Sequence, residues 1–329
     1  MQDRKLGAQG LRVSSIGLGC MPSATAAAPP DEAQTIRLLS RAVELGVTFF
    51  DTAEAYGPWV NESRVGKALR PFRDRVVIAS KFGYRIAPEG GLPIGLDSRP
   101  QRIREACDGS LKRLGVEMID LLFQHRVDPE VPIEEVAGTV GELIRAGKVR
   151  FFGLCEAAPE TIRRAHDVCP VSAVESEYSL WTRDPERSVL PLCGELAVGF
   201  VAYSPLGRGF LAGSGTRLSD LPEGDYRRKM PRWQGEALAR NRWLFENFRS
   251  LAQARKCTPA QLALAWLLHQ REDLVPIPGT TKLHRLEENL GASEIRLSAD
   301  DLAEIEDALP PTAVAGGRYD ERQQARVNL

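Results

Sequence analysis

The chain has 329 residues, 43% of them hydrophobic, and its 43 Lys and Arg nearly balance 44 Asp and Glu for a formal net charge of −1. That balance argues against nucleic-acid or acidic-membrane partners, and the lack of a secretory signal or a bilayer-length apolar run points to a soluble, cytoplasmic protein. The six cysteines form no CxxC pair and the four histidines no metal-ligand spacing, so reduced thiols and no metal are expected.

Residues 4–14 carry Leu6-Gly7-Ala8-Gln9-Gly10-Leu11, a turn-prone centre that reads as a small hairpin. Ser15 to Cys20 is the first apolar strand. Its Gly17-Leu18-Gly19 lacks the third glycine and the following helix of a dinucleotide fingerprint, so close backbone packing is the better reading. Met21 to Pro30 is rich in Ala and Pro, a flexible loop. Asp31 caps a helix with Ile36, Leu39, Ala42 and Val43 on one face. Val47-Thr48-Phe49-Phe50 is a buried strand that ends in Asp51, with Tyr56 five residues on. Glu62 to Leu69 is a short helix. Val76 to Ser80 is a strand that ends in Lys81.

Phe82 to Ser98 is long, rich in Gly and Pro and without apolar periodicity, which marks a functional or disordered loop. Pro100 to Leu114 is helical. Met118 to Gln124 is a strand that ends in His125. Ile133, Val136, Ala137, Val140, Leu143 and Ile144 follow the 3.6-residue period of a helix. Further on, strands at Val149 to Cys155, Ser172 to Ser176, Gly199 to Tyr203 and Leu274 to Ile277 alternate with helices. These helices are Thr161 to Asp167, Glu186 to Leu196, Glu236 to Lys256, Thr258 to His269, Lys282 to Leu290 and Ala299 to Leu309. Residues 213–235 form a second patternless loop.

Eight strand–helix alternations predict a parallel, right-handed α/β array closed into a (β/α)8 TIM barrel, which takes ~250 residues as one unit. The expectation is one domain over 1–329, with an N-terminal β-hairpin plugging the bottom, long rim loops, and a polar tail over 310–329 that is loose or folded on the surface. Three successive strands each deliver an ionisable group at the C-terminal rim, where barrels build chemistry. Taken singly, Asp51 is as readily a turn cap, Asp51 with Lys81 a rim ion pair, and His125 a core histidine. Jointly they favour a site.

Asp51, Tyr56, Lys81 and His125, in this order and spacing, resemble the catalytic set of the aldo-keto reductases. The resemblance runs from about Leu6 to about Leu309 and includes Glu177-Tyr178-Ser179-Leu180-Trp181, Val201 to Gly209 and Pro278 to Lys282. It is nearest to the microbial and plant branch of the perakine-reductase type. It implies reduction of an aldehyde or ketone with NADPH, the nicotinamide supplying the hydride that no side chain can. In that scheme Tyr56 is the general acid, Lys81 lowers its pKa, Asp51 holds Lys81, and His125 orients the carbonyl. A free phenol has a pKa of about 10. An ammonium at ~4 Å in an effective dielectric of ~20 contributes about 4 kcal/mol, or roughly three pKa units.

The resemblance also implies the cofactor site. Ser204, Leu206 and Arg208 lie along the pyrophosphate, helped by backbone N–H groups around Gly207 and Gly209. Gly279, Thr280, Thr281 and Lys282 meet phosphate at a helix start. Lys282 and Arg285 suit the 2′-phosphate of NADP, and Glu288 and Asn289 the adenine. Cys155, Glu156 and Glu175 stand where the family usually has Ser, Asn and Gln, with Cys155 and Glu175 at the nicotinamide carboxamide. A thiol is the weaker hydrogen-bonder and an ionised carboxylate can only accept. Trp59, Tyr84, Trp181 and Trp233 lie on rim segments and suggest an aromatic-lined pocket for an apolar or aromatic carbonyl substrate, the one small-molecule partner implied, with plain packing nearly as good a reading for Trp181 and Trp233. The alternative within the resemblance is an NADP(H)-binding regulatory subunit with little turnover. A Schiff-base lyase using Lys81 is a third reading, opposed by Asp51, which keeps the amine protonated.

Overall fold

The chain opens with an antiparallel hairpin, β1 (Asp3–Leu6) paired with β2 (Leu11–Ser14), Leu6 standing opposite Leu11. The protein is described here by a computed structural model covering residues 1–22, 30–91, 93–327 and 329. The expected flexible loop after Met21 falls at 23–29, outside the described residues.

Parallel strands β3 (Leu18–Gly19), β4 (Phe49–Asp51) and β5 (Val77–Phe82) follow. After a short antiparallel ribbon of β6 (Tyr84–Arg85) and β7 (Gly95–Leu96) come β8 (Ile119–Gln124), β9 (Val149–Cys155), β10 (Val171–Glu177), β11 (Gly199–Tyr203) and β12 (Leu274–Pro276). The eight parallel strands lie in the order β3-β4-β5-β8-β9-β10-β11-β12. Gly17 N–H donates to Pro276 O at 3.0 Å and brings the first strand back to the last. At this seam a Cβ on Gly19 would sit 2.9 Å from Ile277 O, and one on Gly279 2.9 Å from Gly19 O. The backbones meet only because both positions lack a side chain, which is the packing role expected of Gly17-Leu18-Gly19. The result is a (β/α)8 barrel.

The helices are α1 (Glu32–Glu44), α2 (Val60–Leu69), α3 (Pro100–Leu114), α4 (Ile133–Arg145), α5 (Pro159–Val168), α6 (Val189–Glu195), α7 (Gly235–Ala254), α8 (Pro259–Leu268), α9 (Leu283–Gly291), α10 (Ala299–Ala308) and α11 (Glu321–Gln324). Asp31 accepts from Gln34 N–H at 2.6 Å and starts α1. Thr258 with Gln261, and Ser298 with Asp301, form reciprocal capping boxes at α8 and α10. Among the described residues no helix is long and apolar enough to cross a membrane.

Side chains of a strand alternate between its two faces, and here that rule builds the site. Phe49, Ala79, Leu121, Phe123, Cys155, Ala173 and Val201 form one buried cluster inside the barrel, with Leu6, Leu11 and Val13 of the hairpin closing its floor. Phe50, Ile78, Leu122, Leu154 and Val174 point the other way, against the helices. Two residues beyond Phe49, Ala79, Phe123, Ala173 and Val201 stand Asp51, Lys81, His125, Glu175 and Tyr203. The pleat that fills the barrel with apolar groups therefore ends in polar ones at the C-terminal mouth.

The structure corrects three expectations. The stretch after Phe82, expected as a loop without apolar periodicity, holds a short ribbon in which β6 and β7 pair Tyr84 with Leu96 and bring the Tyr84 ring against His125. Residues 213–235 contain short 3-10 turns at Leu218–Asp220, Tyr226–Lys229 and Pro231–Trp233. The helix expected at Glu186 to Leu196 is broken at Ser188 (φ −150°, ψ −42°), leaving a 3-10 turn and then α6.

The tail is tied down rather than loose. Asn241 exchanges hydrogen bonds with both backbone groups of Ala315, at 2.8 and 2.9 Å. Arg318 pairs with Glu156, and the Tyr319 hydroxyl lies 2.7 Å from that of Tyr203. Val314, Val327 and Leu329 also pack on the protein, but they follow no helical or strand period, so the sequence does not betray the anchoring. The Arg318 side chain is 3% exposed and that of Glu156 1%. Arg318→Ala would strand a buried carboxylate that, among the described residues, keeps Tyr203 and the Glu177 N–H as donors. A loss of about 3 kcal/mol is expected, read by urea unfolding at neutral pH.

Candidate functional site

Asp51 is the last residue of β4, Lys81 lies one residue before the end of β5, and His125 directly follows β8. Lys81 Nζ donates to Asp51 Oδ1 and, at 3.2 Å, to Thr52 O. It also lies 3.3 Å from Glu175 Oε2 and 5.3 Å from the centre of the Tyr56 ring. The Tyr56 and His125 rings meet edge-on with centroids 5.8 Å apart, and Tyr84 meets His125 at 4.8 Å. All four groups singled out in the sequence thus converge at one mouth, and Tyr84 joins them.

Burial drives Lys81 toward the neutral amine, but Asp51 and Glu175 overcome it and hold the ammonium well above its ordinary pKa. Burial and then the positive charges of Arg126 and Lys81 hold His125 well below the usual imidazole range, so the ring is neutral at pH 7. Among the described residues its buried Nδ1 has no hydrogen-bond partner.

The expected lowering of the Tyr56 phenol needs correction. Lys81 does pull it down, but burial, with Asp51, Glu175 and Cys155 behind it, pushes it above the ordinary phenol value. One nearby cation does not outweigh the surrounding anions and the loss of water. Burial, then the charge of Asp51, also lifts the Glu175 carboxyl to about 8.

Around the mouth the expected cofactor contacts divide. Cys155 is buried at the end of β9, its thiol pushed well above its ordinary pKa by burial. Glu156 was expected among the cofactor contacts, where Asn is usual; its carboxylate accepts from Arg318, Tyr203 and the Glu177 N–H. Arg208 was expected along the pyrophosphate. Its guanidinium instead pairs with Glu177 at 2.7 Å and lies over the Tyr319 ring. Burial raises the Glu177 carboxyl, but Arg208, Arg318 and Arg232 together hold it below the usual range. The N–H groups of Gly207 and Gly209 are not free donors, because they bond Ser204 O and Leu206 O at 2.9 and 3.0 Å and fold the loop on itself. Ser204 and Leu206 remain partly exposed.

Gly279 is exposed, while Thr280 is buried with its Oγ1 accepting from Lys282 N–H at 3.1 Å beside the start of α9. Thr281 is partly exposed. Lys282 and Arg285 are exposed, and neither forms an ion pair among the described residues. Asn289 is buried and Glu288 partly so. A helix start flanked by two unpaired cations suits an anionic phosphate group.

Trp59 stands at the rim at the start of α2. Trp181 and Trp233 do not line the mouth. They are 3% and 2% exposed and stack with Phe210 and each other. Among the described residues six non-glycines have positive φ, and four of them, Trp59, Glu156, Ser204 and Arg208, come from the candidate set. Backbone strain of this kind gathers at functional sites.

Sequence reasoning missed Tyr203, Glu177, Arg318 and Tyr319. The period-2 alternation of β10 and β11 could have flagged Tyr203. No sequence period announces the two tail residues.

The model of the aldo/keto reductase family matches residues 15–310. A probable aldo-keto reductase from Glycine max is 49% identical over 321 residues, 97% of this chain and 92% of that protein. The structure of a glycerol dehydrogenase from Gluconobacter oxydans is similar with a TM-score of 0.87 at 26% identity, covering 94% of this chain and 96% of that one. An aldo-keto reductase from Bacillus halodurans, solved in a holo form, is similar with a TM-score of 0.80 at 28% identity over 94% and 97%. A barrel with this polar mouth, and a family match across nearly its whole length, leave one assignment: the chain belongs to the aldo/keto reductase family.

Proposed function

We propose that this oxidoreductase reduces an aldehyde or ketone to an alcohol with NADPH, Tyr56 acting as general acid. The observation that carries the reading is the meeting of Tyr56, Lys81 and His125 at one mouth, with Lys81 held by Asp51. When bound, the nicotinamide supplies the hydride.

The side chains divide the remaining work. A neutral imidazole has one donor nitrogen, so His125 orients the carbonyl oxygen without protonating it. Tyr56, protonated throughout the physiological range, gives its proton to that oxygen as negative charge develops there. The phenolate left behind faces Lys81. At ~5 Å and an effective dielectric of ~20 the ammonium stabilises it by about 3 kcal/mol. Lys81 thus acts on the product of proton transfer rather than on the resting phenol. A buried lysine kept charged by Asp51 is a poor amine nucleophile, which counts against the lyase reading. Trp59 and Tyr84 are the aromatic groups that would border the substrate.

For the nucleotide, Lys282 and Arg285 would hold the 2′-phosphate, with Thr280, Thr281 and Gly279 at the helix start and Glu288 and Asn289 toward the base. Ser204 and Leu206 would line the pyrophosphate. Charge-assisted contacts of this kind contribute about 1.5–3 kcal/mol each. Lys282→Ala with Arg285→Ala should therefore weaken NADPH binding ~100-fold or more and leave NADH binding unchanged, as read by fluorescence titration. Equal losses for both nucleotides would remove the 2′-phosphate assignment. A panel of aldehydes and ketones with NADPH tests the function itself. Nucleotide binding without turnover of any of them would favour the regulatory-subunit reading.

A further inference from the structure

The centre holds one charged group more than the proposed reaction uses. Lys81, Asp51 and Glu175 are all buried, with side-chain exposures of 1%, 3% and 4%, and both carboxyls contact the same ammonium. Among the described residues Glu175 Oε2 makes no regular hydrogen bond, only the 3.3 Å contact with the Lys81 ammonium. One ammonium compensates one carboxylate, so a second anion at this depth would stand unpaired. A second proton removes the conflict. The charged and titratable groups facing Glu175 are Asp51, Lys81 and Arg126, with Tyr56 and Cys155 beyond them. Arg126 does not neutralise it, since among the described residues Arg126 makes no ion pair and its guanidinium donates to His125 O at 2.6 Å.

We propose that Glu175 is a positioning residue that works as a neutral carboxylic acid, and that release of its proton to solvent disables the centre in both reaction directions. This rests on Tyr56 being the proton donor. A neutral carboxyl presents a hydroxyl donor and leaves the cluster with one cation and one anion. The ionised form adds an anion beside a phenol that must itself become negative as its proton leaves. Burial and the charge of Asp51 place this ionisation near pH 8.

Two readouts test it. In the kcat–pH profile, wild type should fall ~tenfold per pH unit above the ionisation, while Glu175→Gln should stay flat through the same range. The second readout needs no nucleotide. A carboxyl whose pKa is raised on folding stabilises the fold below its unfolded value of about 4.3, and that contribution is lost as pH rises toward the folded one. The thermal midpoint of wild type should therefore drop relative to Glu175→Gln between about pH 5 and 9. Glu175→Met gives the same comparisons should the Gln variant not fold. A Gln variant that keeps the alkaline fall in kcat, or whose midpoint tracks wild type across pH, would overturn the proposal. Full activity in Tyr56→Phe would instead overturn the reductase reading on which it rests.

Discussion

Tyr56→Phe is expected to lower kcat by ~10²–10⁴-fold and to leave NADPH affinity within about twofold. The substitution removes one oxygen. The ring that meets His125 edge-on and borders Lys81 stays in place, so the mouth keeps its shape. What is lost is the proton donor, and positioned general acids contribute this much to rate. His125 cannot replace it, because burial with Arg126 and Lys81 keeps its ring neutral, and a neutral imidazole is a weak acid. Steady-state kinetics beside a fluorescence titration separate the two quantities. A Phe variant within tenfold of wild type would take Tyr56 out of the reaction.

Lys81→Met should cost both activity and stability. The ammonium is 1% exposed and, among the described residues, is the one cation in contact with Asp51 and Glu175. Removing one partner of a buried ion pair typically destabilises by 3–5 kcal/mol, roughly the cost of the anion left behind. The loss should depend on pH. Buried carboxyls without their cation hold protons more tightly than in the unfolded chain, so the variant should be least impaired near pH 5 and lose ground as pH rises. Adding Asp51→Asn to Lys81→Met should recover part of the stability and none of the turnover. Urea unfolding at several pH values reads the effect. An Lys81→Met protein as stable as wild type at pH 8 would mean that the pair is not buried as described.

Much of this site was legible in the sequence, and the reason is geometric. A strand that buries Phe49 must point Asp51 the same way, and the same holds for Ala79 with Lys81 and Phe123 with His125. Strand ends and strand period are local properties. The capping residue Asp31 was legible for the same reason. What stayed hidden depends on contacts between distant segments. Glu156 and Arg208 sit on the expected loops, yet Arg318 and Glu177 claim their side chains. Trp181 and Trp233 come from rim segments but turn inward onto Phe210. The Tyr56 phenol illustrates the limit best. A single favourable charge could be inferred from spacing, whereas burial and the anions around it could not.

Transfer of deuterium from NADPH carrying two deuteriums at nicotinamide C4 to the carbonyl carbon of a simple aldehyde is the most direct measurement of whether this mouth is a reduction centre. The expected result is one labelled alcohol per nucleotide oxidised with wild type, and product near background with Tyr56→Phe. Unlabelled alcohol, or label transferred equally well by the Phe variant, would contradict it.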